Sequence, residues 1–375
     1  MKTIYLITAH TGYNYGTYLQ AFALKKLLSN YSDNVEIVWQ KSFGPPGRDI
    51  RIKKVLTILF RTLFHFSEYK RIREGYGNSI KYQPDKDARA LFDRFSKDRL
   101  QIKEYPIRVL KKISKNQDTI GVVCGSDQIW NSSTMYPDPL YYLRFVPKEK
   151  RIAYAPSFGS DTIPDFNKRI LKKYITSIPY LSIREESGKE LINDLCGLNV
   201  PVMPDPSLVA EWDSFMSNND SPDYLLVYFL DEPSNDVVLD IGFIADRLNL
   251  TIKYIYYEYK CYSLFSKASY VAAGPEEFIC LIKNAQFVCT DSFHATLFSI
   301  VFNRQFFTYP RNYGLKDSQV SRINNLLCHY DLSDRYRIKS DELMPFSHID
   351  FKVQNCILNS DKKAVYDYLD NALNN

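Results

Sequence analysis

The stretch KTIYLITAHTGYNYGTYLQAFALKKLLSN, residues 2–30, contains the pattern that decides the fold class. Residues 2–8 form an apolar run typical of a buried strand, residues 9–17 form a loop with two glycines, and residues 18–30 have helical periodicity. A strand followed by a helix returns at 286–303, near the other end of the chain. Repeated alternation of this kind predicts an α/β fold built on parallel sheets.

A polar segment separates two halves of this pattern. Residues 216–223, MSNNDSPD, have the Ser, Asn, Asp and Pro content of a linker. We therefore expect an N-terminal α/β domain over 1–215, a C-terminal α/β domain over 216–345 and a helical tail over 346–375. The expected arrangement is two Rossmann-like domains facing a cleft, with ligands bound beyond the carboxyl ends of the strands.

The composition excludes several classes of protein. The 375 residues are 45% hydrophobic and 24% charged, which is the balance of a soluble globular protein and not of a disordered chain, a collagen-like fibre or a coiled coil. No apolar run approaches the roughly 20 residues of a membrane span, and the N-terminus resembles a strand more than a signal peptide. The seven cysteines and five histidines lack the spacing of a metal site or a disulfide framework. We therefore expect a cytoplasmic protein.

The excess positive charge lies in one segment. The chain has 48 basic and 43 acidic residues, a net charge of +5, and residues 48–74 alone hold eight basic and three acidic residues, again a net +5. A local excess of this kind indicates an anionic partner. Residues 48–100 are predicted to form a basic, amphipathic helical insert in the N-terminal domain.

The insert contains a helix with an apolar face. Residues 52–66 place Ile, Val, Leu and Phe side chains on one broad face, while Lys53, Thr57, Arg61 and His65 recur as a polar stripe. One interpretation is peripheral contact of residues 48–74 with an anionic membrane, at the inner face of the cell membrane. The other is a core helix whose basic side chains reach solvent. No nucleic-acid-binding motif accompanies the charge, so nucleic acid is not an expected partner.

The loop HTGYNYGT, residues 10–17, follows the first predicted strand. Gly12 and Gly16 allow a close backbone approach, the helix start offers N–H groups to an anion, and Asn14 offers a side-chain donor. The loop does not match GxGxxG, so a dinucleotide site is not predicted. The alternative is an ordinary loop in which Asn14 stabilises a turn.

The loop GSDQIWN, residues 125–131, follows the apolar run IGVVC. The backbone of Gly125 and Ser126 can bind an anion or a sugar. Asp127 can act as a general base on a sugar hydroxyl, and Trp130 can stack on a sugar face. The alternative is a helix N-cap formed by the Ser or the Asp, which is compatible with a functional role.

The segment SIREESG, residues 182–188, places Arg184 directly after a predicted strand. A guanidinium beside a helix start is suited to bind a carboxylate or a phosphate through two hydrogen bonds. The alternative is an ion pair with Glu185, Glu186 or a neighbour across the sheet.

The segment TDSFHATLFS, residues 290–299, is predicted to begin a helix. Asp291 and Ser292 lie where an N-cap is expected, and His294 lies in the first turn, where the helix dipole favours an anion. The alternative is a structural histidine.

Five motifs occur in the order found in the polysaccharide pyruvyl transferase family, which the chain resembles over roughly residues 3–330: NYGTYLQAFAL, GSDQIWN, SIREESG, PDPSLV and CTDSFHATLFSIVFNRQF. The resemblance implies a two-domain, GT-B-like fold. It also implies transfer of the enolpyruvyl group of phosphoenolpyruvate to a sugar hydroxyl pair, giving a pyruvate ketal in bacterial capsule or exopolysaccharide biosynthesis. The acceptor would be a glycan or a lipid-linked sugar. Phosphoenolpyruvate would be a co-substrate, and neither a cofactor nor a metal is implied.

The resemblance also implies roles for individual residues. His294 would contact the donor or act as the acid, and Asp127 would be the base. By the resemblance Arg184 would bind the donor, and we expect Ser292, Phe293, Lys316 and Arg322, at or after the start of the His294 helix, to contribute to the same site. The acceptor, on the side of the N-terminal domain, would be bound by Asn14, Gly16, Gly125, Ser126 and Trp130.

One feature departs from the family pattern. Members often carry Arg-x-His where this chain has Ser292-Phe293-His294, so one expected donor-binding arginine is absent. Either Lys316, Arg322 or Arg311 supplies the charge, or the donor differs from phosphoenolpyruvate.

Two other functions remain compatible with the sequence. The first is a GT-B-like glycosyltransferase of the same pathway, with the diphosphate of a nucleotide sugar at the helix of His294 and Glu276 or Glu277 on the ribose. The second is a non-catalytic, membrane-associated subunit of a polysaccharide assembly complex.

Overall fold

The computed structural model describes residues 2–41, 51–67, 69–70, 84–215, 223–255, 259–265, 268–311, 318–337 and 347–374. The chain divides into two compact units. The first unit comprises Met1–Lys81, Ser96–Ala210 and Asp361–Asn375, and the second comprises Tyr82–Phe95 and Glu211–Ser360.

The first unit is built on a parallel sheet with six strands in the described residues. They are β1 (Thr3–Ile7), β2 (Asn34–Gln40), β3 (Lys103–Tyr105), β4 (Thr119–Cys124), β5 (Arg151–Ala153) and β6 (Tyr180–Leu181). Their spatial order is β3-β2-β1-β4-β5-β6, and every neighbouring pair is parallel. This is a Rossmann-type order, in which the direction of winding reverses between β1 and β4.

The second unit repeats the arrangement with five strands in the described residues. They are β7 (Tyr224–Tyr228), β8 (Thr251–Ile255), β9 (Ala268–Val271), β10 (Phe287–Thr290) and β11 (Gln305–Thr308). The parallel order β11-β10-β7-β8-β9 reverses between β7 and β10. The predicted α/β class with two Rossmann-like domains is therefore confirmed.

The helices alternate with the strands along the chain. They are α1 (Tyr15–Leu28), α2 (Ile52–Phe64), α3 (Lys86–Phe95), α4 (Ile107–Ser114), α5 (Asp165–Ile175), α6 (Glu186–Cys196), α7 (Pro206–Val209), α8 (Asn235–Leu248), α9 (Pro275–Asn284), α10 (Phe293–Val301), α11 (Ser318–His329) and α12 (Lys352–Leu373). Helices on the faces of a parallel sheet bury its central strands on both sides. Apart from Thr119 and Gly121, the side chains of β4 are accordingly apolar, and all but one residue of the strand are buried.

The units differ from the predicted domains in four segments. Residues 82–95, predicted as part of the N-terminal insert, and residues 211–215, predicted in the N-terminal domain, belong to the second unit. The predicted tail is divided, with residues 346–360 in the second unit and 361–375 in the first. Within the second unit, α3 packs on the start of α9, where Arg94 forms an ion pair of 3.0 Å with Glu277. In the first unit, the hydroxyl of Tyr368 donates a 2.9 Å hydrogen bond to the carbonyl of Ala153 on β5. Such contacts join residues distant in sequence, so local patterns do not reveal them.

Gly125 lies at the end of β4 in a conformation that admits no side chain. Its φ is +139°, and a Cβ atom added there would lie 1.8 Å from the carbonyl oxygen of Tyr154. Gly197, the C-cap of α6, also has a positive φ of +71°, but an added Cβ would meet nothing within 4 Å. Substitutions at the two glycines therefore distinguish the cost of backbone strain alone from the added cost of steric overlap.

We expect Gly125→Ala to destabilise the protein far more than Gly197→Ala. A left-handed alanine costs about 1 kcal/mol, and this is the whole expected effect at Gly197. At position 125 the methyl group must also displace the backbone of Tyr154, directly after β5, which should at least double the loss. Urea unfolding of the two variants measures the difference, and equal losses would contradict the steric argument.

Candidate functional site

Two places in the fold are suited to bind a ligand. In a doubly wound sheet, the loops that follow two neighbouring strands diverge where the winding reverses, and ligands bind there. In the first unit these are the loops after β1 and β4, residues 8–14 and 125–131. In the second unit they are the loops after β7 and β10, residues 229–234 and 291–292.

Asn14 and Asp127 are brought together at the reversal point of the first sheet. Asn14 is the N-cap of α1, and its Oδ1 accepts a hydrogen bond from the backbone N–H of Thr17 at 3.2 Å. The Thr17 hydroxyl donates to Oδ2 of Asp127 at 3.0 Å. The side chain of Asp127 is 17% exposed, so part of this carboxylate remains accessible.

The backbone groups predicted to bind an acceptor are used inside the protein. The N–H of Ser126 donates to Oε1 of Gln20 at 3.0 Å, and the N–H of Gly125 donates to the carbonyl of Ile7 at 3.2 Å. Gly16 is buried in the first turn of α1, which begins three residues earlier than the predicted helix because Asn14 caps it. These residues shape the loops rather than present donors to a ligand.

Trp130 lies in the core of the first unit. Its ring is 1% exposed, stacks on Tyr142 with centroids 4.9 Å apart, and its Nε1 donates to the carbonyl of Tyr141 at 3.0 Å. Stacking on a sugar requires an open ring face, and this ring has none. The predicted contact of Trp130 with the acceptor does not fit this geometry.

Arg184 occupies a buried cluster of carboxylates. Its Nη1 donates to Oδ2 of Asp205 at 3.0 Å and lies 3.9 Å from Oδ1 of Asp127, while its Nε donates to Oε1 of Glu185 at 3.0 Å. Desolvation by burial lowers the pKa of Arg184, but the three carboxylates outweigh it and raise the pKa above its ordinary value. The structure thus shows the ion pair that was the alternative to direct ligand binding.

Asp291 is the central acidic residue of the second unit. Its carboxylate is 1% exposed and accepts hydrogen bonds from the backbone N–H groups of Leu230 at 2.7 Å and Asp231 at 3.0 Å. The two loops at the reversal point are joined in this way. Burial raises the pKa of Asp291 to about 6, although Arg311 and the two N–H groups oppose the rise.

Ser292 and His294 lie at the start of α10. Ser292 is the N-cap, and its Oγ accepts a hydrogen bond from the N–H of Ala295 at 3.4 Å. His294 lies in the first turn with its Nε2 atom buried, and its ring meets that of Phe293 edge to face at 5.2 Å. Both residues therefore sit where the sequence predicts them, although the geometry assigns neither to a ligand.

Two arginines lie against residues of this helix start. The Nε of Arg311 donates to the carbonyl of Asp291 at 2.9 Å and lies 3.5 Å from its Oδ2. The guanidinium of Arg322 lies over the ring of Phe293, 5.7 Å from its centroid. Lys316, the third predicted source of charge, lies outside the described residues.

Glu277, predicted to contact a ribose in the alternative function, has a structural role. Its Oε2 accepts a hydrogen bond at 3.0 Å from the N–H of Gly274, the N-cap of α9, and its Oε1 pairs with Arg94. This carboxylate is already engaged by two partners within its own unit.

A sequence model of the polysaccharide pyruvyl transferase family matches residues 14–313. The chain belongs to the polysaccharide pyruvyl transferase family. The resemblance read from the five motifs is therefore confirmed, and the protein is a transferase enzyme. Asn14, Asp127, Arg184, Asp291 and Arg311 all lie within the matched segment.

Solved structures with a similar fold share little sequence with this family member. The E. coli heptosyltransferase WaaC with ADP is 11% identical, with a TM-score of 0.41 over 98% of this chain and 99% of that chain. Medicago truncatula UGT71G1 complexed with UDP-glucose is 12% identical, with a TM-score of 0.46 over 98% of each chain. The S. aureus MnaA-UDP co-structure is 12% identical, with a TM-score of 0.45 over 98% and 97%. TM-scores below 0.5 are too low to transfer a ligand or a site, and no curated protein matches the chain.

Among the described residues of this pyruvyl transferase family member, His, Cys, Asp and Glu form no group that could hold a metal ion. Over the same parts of the chain, none of the helices has both the length and the apolar character needed to cross a membrane.

Three site residues had no assigned chemistry in the sequence. Asp291 and Asp205 each precede a helix, a position that predicts only an N-cap, and Thr17 lies within a predicted loop. The PDPSLV motif contains Asp205, whose Oδ1 indeed accepts from the N–H of Ser207 at 3.0 Å. Its pairing with Arg184 depends on the sheet and has no local signal.

Replacing Arg184 with Met should destabilise the protein by about 3 to 5 kcal/mol, because it leaves Asp205, Asp127 and Glu185 without their common cation. Lys189→Met, which removes a partly exposed ion pair with Glu186, should cost about 1 kcal/mol or less. Chemical unfolding at neutral pH tests the pair. A loss at Arg184 no greater than that at Lys189 would show that the cluster is not stabilising.

Asp291 should make stability depend on pH between its ordinary and its folded pKa. A carboxyl with a pKa of about 6 in the folded protein and 3.8 ordinarily binds more protons when folded between these values. The contribution of this carboxyl to the free energy of unfolding is therefore fully present below a pH of 3.8, and it is lost as the pH rises through about 6. Relative to Asp291→Asn, the free energy of unfolding of the wild type should fall by about 3 kcal/mol over this interval. Urea unfolding at several pH values measures this, with the exposed Asp246→Asn as control, and parallel profiles for wild type and Asp291→Asn would refute it.

Proposed function

We propose that this family member transfers the enolpyruvyl group of phosphoenolpyruvate to a sugar hydroxyl pair, forming a pyruvate ketal in the synthesis of a bacterial capsule or exopolysaccharide. The family supports the reaction class. The observation that carries the choice of donor is the placement of Arg311 and Arg322 against residues that begin α10, the helix of His294.

The donor needs concentrated positive charge. Phosphoenolpyruvate carries a phosphate and a carboxylate, and both are bound well by guanidinium groups and by the N-terminus of a helix. Ser292 stands where family members often have an arginine. Arg311 lies against Asp291, the residue before this position, and Arg322 lies over Phe293, the residue after it. The two arginines are in place to supply the charge that Ser292 lacks.

The acceptor side of the proposal rests on Asp127. Thr17 fixes one carboxylate oxygen of Asp127 by a 3.0 Å hydrogen bond, and the side chain remains partly accessible. A fixed, ionised carboxylate can accept a proton from a sugar hydroxyl. The acceptor is proposed to be a glycan or a lipid-linked sugar.

The reaction balances with the donor and the hydroxyl pair alone. The CH₂ carbon of phosphoenolpyruvate gains a proton and becomes a methyl group, and the first sugar oxygen bonds to the neighbouring carbon. The C–O bond to phosphate breaks, the second sugar oxygen bonds to the same carbon, and phosphate takes up the second hydroxyl proton. His294 is proposed to contact the donor or to deliver the first proton, and Asp127 to remove a hydroxyl proton. Arginines and the helix N-terminus stabilise the departing phosphate, so the proposal includes no cofactor or metal.

Thermal unfolding with added ligands tests the donor directly. Phosphoenolpyruvate at about 100 times its Kd should stabilise the protein by roughly 2.7 kcal/mol, whereas UDP-galactose, GDP-mannose and inorganic phosphate should stabilise it less. The double variant Arg311→Gln/Arg322→Gln should lose this effect. Arg247→Gln, at an exposed position on α8, should keep it.

Two outcomes would redirect the assignment. Stabilisation by a nucleotide sugar without any by phosphoenolpyruvate would favour the glycosyltransferase. Stabilisation by phosphoenolpyruvate that persists in the double variant would keep the donor but place its binding elsewhere. Phosphate release from phosphoenolpyruvate that requires a sugar acceptor would establish the transfer itself.

A further inference from the structure

Helix α2 presents an apolar face to solvent. All of its large aliphatic and aromatic side chains except the half-buried Ile58 are between 40% and 79% exposed, and none of its residues is buried. The exposed side chains are Ile52, Val55, Leu56, Leu59, Phe60, Leu63 and Phe64, followed by Phe66 just beyond the helix. A contiguous apolar surface of this kind marks an interaction site.

The helix is attached to the first unit by its polar side. Arg51, directly before the helix, is buried and forms an ion pair with Asp138. Arg61 donates to Oδ1 of Asn167 at 2.6 Å and to the carbonyl of Met135 at 3.1 Å. Thr57, Arg61 and His65 of the predicted polar stripe are therefore partly buried against the protein, whereas Lys53 and the apolar face are exposed. The core-helix interpretation of this segment is wrong.

Helix α5 adds a basic border to this surface. The ring of Phe166, in its first turn, contacts the ring of His65 at 4.6 Å and lies under the guanidinium of Arg61 at 5.5 Å. Arg169 and Lys173, three and seven residues further along, share the helix face of Phe166 and are exposed. The helix as a whole has four basic residues and one acidic residue.

We propose that the exposed face of α2 and the basic residues of α5 together form a docking surface for an anionic lipid bilayer. The aliphatic and aromatic side chains would enter the boundary between headgroups and acyl chains, and Arg169 and Lys173 would contact the lipid phosphates. The helix would lie in the plane of the membrane without crossing it.

The charge distribution favours a bilayer over a second copy of the chain. Pairing two copies through α2 would bring two basic borders together, and like charges in contact oppose association. An anionic bilayer satisfies both parts of the surface at once, since its interior accepts the apolar face and its headgroups neutralise the basic border.

Sedimentation with vesicles tests the surface without any assay of activity. The full-length protein should bind vesicles of equal parts phosphatidylglycerol and phosphatidylcholine, and should bind pure phosphatidylcholine vesicles less. Leu59→Glu/Leu63→Glu should lower the partition coefficient by about tenfold or more. The matched control Leu239→Glu changes an exposed leucine of α8 in the second unit and should have no effect.

A second variant tests the basic border. Arg169→Gln/Lys173→Gln should weaken binding to the anionic vesicles and reduce its dependence on salt, because two contacts with lipid phosphates are lost. This variant leaves α2 intact, so it remains informative if the glutamates on α2 disturb folding, which circular dichroism reports.

Three results would overturn the proposal. The first is equal vesicle binding by the wild type and Leu59→Glu/Leu63→Glu. The second is an equal loss of vesicle binding in that variant and in Leu239→Glu. The third is a wild type that binds no vesicles and forms a dimer that the glutamates on α2 disrupt. The last result would make the face an interface between copies. The docking surface does not depend on the donor, so its failure and that of the pyruvyl transfer are distinguishable.

Discussion

In each unit, a buried charged side chain and its polar partners hold together the loops at the carboxyl ends of the strands. In the first unit, Arg184 joins the carboxylates of Asp127, in the loop after β4, and Asp205, the N-cap of α7. In the second, Asp291 accepts hydrogen bonds from two backbone N–H groups of the loop after β7 and lies beside Arg311. A charge removed from water is tolerated only with such partners, so these contacts constrain the loops strongly.

This constraint separates residues that shape the site from those left to perform chemistry. Arg184 and Ser126, both predicted to bind a substrate, are engaged inside the protein. Asp127 keeps a partly exposed carboxylate, and Arg311 and Arg322 lie beside the residues that flank Ser292. The proposed chemistry therefore depends in part on Asp127 and Arg311, which the buried network orients while each side chain stays partly exposed.

Helix α2 differs from most other helices of the described residues in the direction of its apolar face. Most of those helices bury apolar side chains in the core, whereas the buried ion pair of Arg51 and the hydrogen bonds of Arg61 hold the apolar face of α2 outward. Exposing so much apolar surface to water is unfavourable, and a bilayer would remove that cost. The first unit thus carries a surface whose proposed partner differs from the sugar acceptor.

The fold class, the family and the loops with chemically useful side chains are all predictable from the sequence, because strand–helix alternation and the five motifs are local patterns. The N-cap at Ser292 is predictable too, since capping depends on neighbouring residues. Four features emerge only in the folded protein: the place of Trp130 in the core, the pairing of Arg184 with Asp205, the membership of residues 82–95 in the second unit, and the outward face of α2. They escape local patterns because an amphipathic pattern specifies which side chains share a face, whereas distant partners such as Asp138 and Asn167 decide where that face points.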